Sequence, residues 1–179
     1  GETGPLKENP AYDMIVQAMG GIMSITGKDK NETYRVGSSI GDIVAGLYAV
    51  IGVLTQIIFR NQSKKGSRLD LSMLDCQVAI LENAIARYSV EKKIPCPLGT
   101  DHPSITPFGA FKTLDGTLAI AIGNNKMFKD FCYSIKNEEL HKKKKYENNA
   151  KRNKNLSDLR RDIEYQMKKK KQIIGVKFL

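Results

Sequence analysis

Two histidines and no Cys-x-x-Cys pair offer little to a structural metal, which argues against a zinc-type site. Cys76, Cys96 and Cys132 show neither paired nor ligand spacing, and an odd count argues against a disulfide framework, so the pattern reads as that of a reducing compartment. The opening GETGPLKENP has neither the apolar core of a signal peptide nor the Arg- and Ser-rich, acid-poor character of a transit peptide. It lacks an initiator Met and begins in turn-like sequence, which reads as a fragment or a processed product. No zinc-finger, RNP or P-loop pattern and no internal repeat is present.

What is present suits a packed chain. Of the 179 residues, 41% are hydrophobic, enough for one sizeable domain or a piece of a larger one. The net charge of +10 is unevenly spread: residues 1–125 hold 12 basic and 12 acidic side chains, whereas residues 126–179 hold 17 and 7. The lysine runs at 142–145 and 168–171 have no interleaved aromatic residues, so solvated helical faces are a better reading than a nucleic-acid surface.

Hydrophobic spacing predicts a loop up to Pro10, then a helix over YDMIVQAMGGIMSITG with Met14, Ile15, Ala18, Met19 and Ile22 on its core side and Gly20–Gly21 weakening its end. KDKNETYR reads as a polar loop. The apolar run from Ile43 to Phe59 is marginal as a bilayer span, which needs about 20 apolar residues, and reads as a buried helix. Its Ala45, Ala49 and Gly52 form a small-residue stripe for close approach. RLDLSM is a candidate strand, and Ser72 with Asp75 starts a helix running to about Val90, with Leu74, Val78, Leu81 and Ile85 inward. A proline-rich loop follows, then two strands around a turn at Asp115–Gly116, a helix over KMFKDFCYSI, a nearly wholly polar stretch, and a helix with Leu156, Leu159, Ile163 and Met167 in register, capped by Asn155 or Ser157. The chain is therefore α/β or α+β.

Three places could carry chemistry. Asp42 heads the apolar run, where an aspartate is first of all a helix N-cap. The helix dipole also favours an anion there, and a partly desolvated carboxylate can attack an activated acyl group. His102 beside Asp101 could act as a base, although a loop histidine between turn formers is more often structural. The GNN turn at 123–125, between a strand and a helix, could cradle an anion or an acyl group, or simply connect the two.

Six stretches together resemble the family III CoA-transferases (CaiB/BaiF): GETGP, PAYDMIVQAMGGIMSITG, VGSSIGDIVAGLYAVIGVL, KKGSRLDLSMLDCQVAIL, LGTDHPSITPFGAFKTLDGTLAIAIGNNKMF and KYENNAKRNKNLSDL. The resemblance implies Asp42 as catalytic nucleophile and Tyr12, Gly41, Gly123 and Asn124 as substrate-binding residues. It also implies an aspartyl-CoA thioester intermediate, acyl-CoA and carboxylic acid as substrates, coenzyme A as substrate with no cofactor or metal, and a homodimer in the complete protein with no nucleic-acid or membrane partner. Tyr12 stands where the family's racemases carry a catalytic His, which favours transfer over racemisation; a non-enzymatic binding protein with a basic tail is the further alternative. The likeness is strongest to a mitochondrial branch that moves CoA between dicarboxylic acids, implying a matrix location. Residues 1–90 would then be part of the large domain with the nucleophile, and 91–179 a smaller α+β domain truncated at its C-terminus. The family's N-terminal Rossmann-like portion has no counterpart here, so the polypeptide alone is expected to bind CoA poorly.

Overall fold

A computed structural model describes residues 1–169; positions 170–179, including the last two residues of the second lysine run, lie outside the described residues. The chain divides into two compact units, Gly1–Gly99 and Thr100 onward.

In the first unit a turn-rich opening leads to α1 (Asp13–Met19), which stops at Gly20. Gly21 takes a left-handed φ of 92°, a conformation that favours glycine, and redirects the chain into the single turn of α2 (Ile22–Ile25). The segment expected as a polar loop instead makes a small antiparallel hairpin of β1 (Gly27–Asp29) and β2 (Glu32–Thr33). Then come α3 (Ile40–Ser63), α4 (Met73–Ala79) and α5 (Glu82–Glu91). Ser72 caps α4 as expected, its Oγ accepting from the Asp75 amide at 3.3 Å, but the helix breaks at Ile80–Leu81 instead of running on unbroken. RLDLSM, expected as a strand, forms none among the described residues, and its Met73 opens α4.

The inward faces differ from those the apolar spacing suggested. On α1 the buried residues are Val16 and Gln17, while Met14, Ile15 and Met19 are exposed; on α4 they are Cys76 and Gln77, while Val78 and, further on, Ile85 are exposed. The reason is the surface that these helices meet. The inward side of α3 is made of small residues, with Gly41 and Ala45 buried and Gly52 so close to Leu69 that a Cβ there would lie 2.7 Å from Leu69 Cδ2. Against such a surface α1 and α4 pack tightly over a narrow strip, around Val44, Ala45 and Cys76, with Ile40, Leu71, Met73 and Ile80 at its margin. The small-residue stripe thus does allow close approach. The expectation that α3 itself is buried fails: only Gly41, Val44 and Ala45 are buried along it, and its larger apolar side chains are exposed.

The second unit matches its pattern closely. β3 (Phe108–Lys112) and β4 (Thr117–Ala121) pair antiparallel across the Asp115–Gly116 turn, with Phe108 opposite Ala121 and Lys112 opposite Thr117. They are followed by α6 (Asn125–Ser134), α7 (Glu139–Lys142), a 3-10 turn at Lys144–Tyr146, α8 (Asn149–Lys154) and α9 (Leu156–Met167). Phe111, Phe128, Cys132, Leu140, Tyr146, Leu159 and Ile163 share one core. Asn155 is the N-cap of α9, but its amide donates to the Lys145 and Lys151 carbonyls and makes no side-chain cap bond.

The polar stretch before α9 proves to be structural. Arg152 is fully buried, and its Nε donates to the Thr106 carbonyl at 2.7 Å. Its Nη1 donates to Asn125 Oδ1 at 3.0 Å and the Tyr146 carbonyl at 3.1 Å, and the guanidinium lies 4.6 Å from the Phe128 ring centre. Asn149 and Asn153 both donate to the Ser104 carbonyl, so α8 clasps the segment leading into β3. The first lysine run is largely paired at the surface: Lys142 with Glu139, Lys143 with Asp162 and Lys145 with Asp158.

Burial pushes the Cys132 thiol from an ordinary value near 9.0 up to about 12. Below the lower value both folded and unfolded thiols are protonated. Between the two only the unfolded chain ionises, so the contribution of this group to stability falls as pH rises through that window. Urea midpoints measured from pH 8 upward should therefore drop more steeply for the native chain than for Cys132→Ala; parallel curves would contradict the assignment.

Candidate active site

The site is built where α1 crosses the start of α3. Asp13 opens α1 and Gln17 lies one turn on, so both point from the same face. Gln17 is fully buried: its Oε1 accepts the Val36 amide at 2.8 Å, and its Nε2 donates to Asp13 Oδ2 at 2.9 Å and lies 3.4 Å from the Val36 and Ser38 carbonyls. The irregular segment before α3 is thereby pinned to α1. Asp13 Oδ1 accepts the Gly41 amide at 2.9 Å, while Arg35 Nη1 stands 3.9 Å from Oδ2.

This arrangement corrects the reading of Asp42 as a helix cap. The N-cap of α3 is Ser39, which makes no side-chain cap bond, and Asp42 lies inside the first turn. The carboxylate that satisfies the helix start comes from Asp13, 28 residues away in sequence. Asp42 is exposed, and among the described residues its carboxylate has no hydrogen-bond or ion-pair partner. Its charge stands at the favourable end of the α3 dipole. What results is an uncommitted carboxylate on a rigid, externally anchored helix start.

Of the five residues implied by resemblance, the structure places three in this unit. Tyr12 is the N-cap of α1, directly before Asp13, with its ring exposed and its carbonyl accepting the Val16 amide at 2.9 Å. Gly41 is buried, and a Cβ there would lie 3.2 Å from Asp13 Oδ1 and 3.5 Å from Val16 Cγ1, so the bond to Asp13 depends on its small size. Gly123 and Asn124 belong to the second unit. Asn124 caps α6, its Oδ1 accepting the Met127 amide at 2.9 Å, whereas a Cβ at Gly123 would meet open space. His102 takes its structural reading: Nδ1 accepts the Ser104 and Ile105 amides, each at 3.1 Å, and Asp101 pairs with Arg160. Among the described residues no group of three or more His, Cys, Asp or Glu is gathered as a metal site.

Asp13 and Gln17 are not evident as site residues from apolar spacing. The available signal was two polar side chains one helical turn apart within an otherwise apolar helix, the mark of an inward polar pair.

Residues 1–173 match the sequence profile of CoA-transferase family III. The chain is 36% identical over 170 residues to acetyl-CoA:oxalate CoA-transferase of Acetobacter aceti, covering 94% of this chain and 44% of that one. It is 35% identical over 159 residues to succinyl-CoA:glutarate CoA-transferase of Homo sapiens, covering 89% and 36%. The crystal structure of a CAIB/BAIF family protein from Brucella suis superposes with a TM-score of 0.82 at 34% identity, covering 96% of this chain and 46% of that one. The chain thus spans less than half the length of each of these relatives.

Replacing Asp13 by Ala should cost about 1–3 kcal/mol, spanning the typical loss for a helix-capping side chain and that for a hydrogen bond to a charged acceptor, and speed hydrogen exchange at the Gly41 amide. Asp13→Asn, which keeps an acceptor oxygen, should retain most of the protection. Unchanged Gly41 exchange in Asp13→Ala, followed by NMR, would show that the cap lies elsewhere.

Proposed function

This chain belongs to CoA-transferase family III, and on that premise we propose that it carries the nucleophile, Asp42, of a transferase moving CoA from an acyl-CoA to a carboxylic acid. The observation that carries the reading is the division of labour at the start of α3: Asp13 takes the capping bond, which leaves the Asp42 carboxylate free. A carboxylate is a weak nucleophile and has to be aimed, and anchoring the helix start to α1 supplies that orientation.

In the first half-reaction Asp42 attacks the thioester carbonyl of the donor. The C–S bond breaks, giving a mixed anhydride and the CoA thiolate. The thiolate then attacks the aspartyl carbonyl of the anhydride, releasing the donor acid as its carboxylate and leaving an aspartyl-CoA thioester. The acceptor carboxylate attacks this thioester, expels CoA thiolate and forms a second anhydride. Attack of the thiolate on the acceptor acyl carbon yields the new acyl-CoA and restores Asp42. Every step conserves charge, and CoA enters and leaves as substrate.

Each tetrahedral intermediate needs donors for its oxyanion. The Gly41 amide is committed to Asp13. We assign Gly41 the task of keeping the backbone beside the nucleophile free of a side chain, and Tyr12, with its exposed ring, a substrate contact. In the second unit, Gly123 and Asn124 are assigned as a substrate-contacting turn. The oxalate and glutarate named in the relatives support a dicarboxylic acceptor. A homodimeric working enzyme and a mitochondrial matrix setting belong to the same proposal and rest on the family resemblance.

Asp42→Ala, in an assay-competent polypeptide containing this chain, should reduce CoA transfer by on the order of 10⁴-fold or more, the scale seen when a nucleophile is removed. Hydroxylamine should modify Asp42 only after acyl-CoA is added, as read by peptide mass spectrometry. Undiminished turnover in the variant would refute the assignment.

A further inference from the structure

The Gly123–Asn124 turn is closed into a ring by one buried side chain. Its entry is fixed at Ile122, a buried residue whose amide donates to the Pro107 carbonyl at 3.1 Å. Its exit is fixed at Asn125, the first residue of α6, whose Oδ1 accepts from Arg152 Nη1 at 3.0 Å. The same guanidinium reaches the other side of the turn, because Arg152 Nε donates at 2.7 Å to the carbonyl of Thr106, the neighbour of Pro107. Residues 106–107, 122–125 and 152 thus form a closed circuit, with only Gly123 and Asn124 between the two held ends.

Inside that span the two residues differ. Asn124 is committed to α6: its Oδ1 accepts the Met127 amide at 2.9 Å, and its carbonyl accepts the Phe128 amide at 3.0 Å. At Gly123 a Cβ would meet nothing within 4 Å, so no neighbour among the described residues requires a glycine there. The ring fixes where this bare stretch of backbone stands. A tie needed for stability alone would be served as well by apolar packing, since Arg152 is a buried charge and its Nη2 has no hydrogen-bond partner among the described residues. What a guanidinium adds is direction. Its planar fork sets the Thr106 carbonyl and Asn125 Oδ1 at a defined angle to each other, one on each side of the turn.

We propose that Asn125 and Arg152 are positioning residues that hold the Gly123–Asn124 turn in a preset place for contact with substrate. This rests on the assignment of that turn as a substrate contact. Arg152 is fully buried and bonded to several segments, whereas Asn125 is exposed, so Asn125 is the half of the pair that can be replaced without dismantling the core. Phe128, buried one turn on, keeps α6 seated when the tie is cut.

The test combines nitrogen-15 relaxation of the Gly123 amide in the full 179-residue chain with turnover in an assay-competent polypeptide containing it, using succinyl-CoA and glutarate as the substrate pair. Asn125→Ala removes the acceptor but spares the Asn124 cap, so its circular dichroism should stay native. Its Gly123 order parameter should fall from a rigid value of about 0.85 to below about 0.6. Its kcat should drop about ten-fold or more with KM held within about two-fold, the pattern of a misplaced contact. Asn125→Asp, which keeps an oxygen for Arg152, should restore both. Unchanged Gly123 relaxation in Asn125→Ala would overturn the proposal, as would equal losses in the Asp and Ala variants. Altered relaxation with undiminished turnover would support the tie and instead overturn the substrate role given to Gly123 and Asn124.

Discussion

The hydrogen bond from the Gly41 amide to Asp13 is the constraint around which the first unit is arranged. It replaces a local cap with one delivered from another helix, so α3 has a defined start only when α1 is packed against it. Hydrogen bonds to a charged group contribute roughly 1.5–3 kcal/mol. This one also imposes geometry, since any side chain at position 41 would press on Asp13. Gln17 extends the constraint backward by holding the Val36 amide and lying against the Val36 and Ser38 carbonyls, so the whole entry to the helix is registered on α1. The chemical consequence is at Asp42: relieved of capping, its carboxylate has no competing partner among the described residues.

The second unit solves a different problem with a buried charge. Arg152 meets no carboxylate among its described partners; two carbonyls, an asparagine oxygen and the face of Phe128 surround it. Burial drives its pKa down; Nε and Nη1 are occupied, whereas Nη2 is buried with no hydrogen-bond partner among the described residues, so part of the cost of burying the charge is left uncompensated. What this arrangement secures is the joining of three separate segments, the approach to β3, the start of α6 and α8, into one body. The turn at Gly123–Asn124 immediately precedes the α6 residue that Arg152 holds, Asn125.

Legibility in the sequence followed how self-contained each element is. The β3–β4 hairpin and the face of α9 were readable because their apolar residues meet one another inside one small core, where spacing and burial coincide. The faces of α1 and α4 were not. Their apolar residues outnumber what the narrow α3 surface can cover, so the neighbour selected Val16, Gln17, Cys76 and Gln77 and left larger side chains outside. Likewise, KKKKYENNAKRNKN looked solvated because nothing in a polar run announces that its arginine and tyrosine will be buried.

Sequence alone was sufficient for the mixed α and β class, the two-stranded unit, the capping role of Ser72 and, through six stretches in order, the family. These depend on local spacing, turn chemistry and residue order, all written along the chain. Only the tertiary structure showed that Asp13 caps α3 in place of Asp42, that Gln17 fixes the approach to it, and that α3 turns its small residues inward and its large apolar ones outward. Those outcomes depend on which surfaces meet. A helix carries its periodicity within itself, but the partner that satisfies its first amide and the side that will be covered are properties of what packs against it.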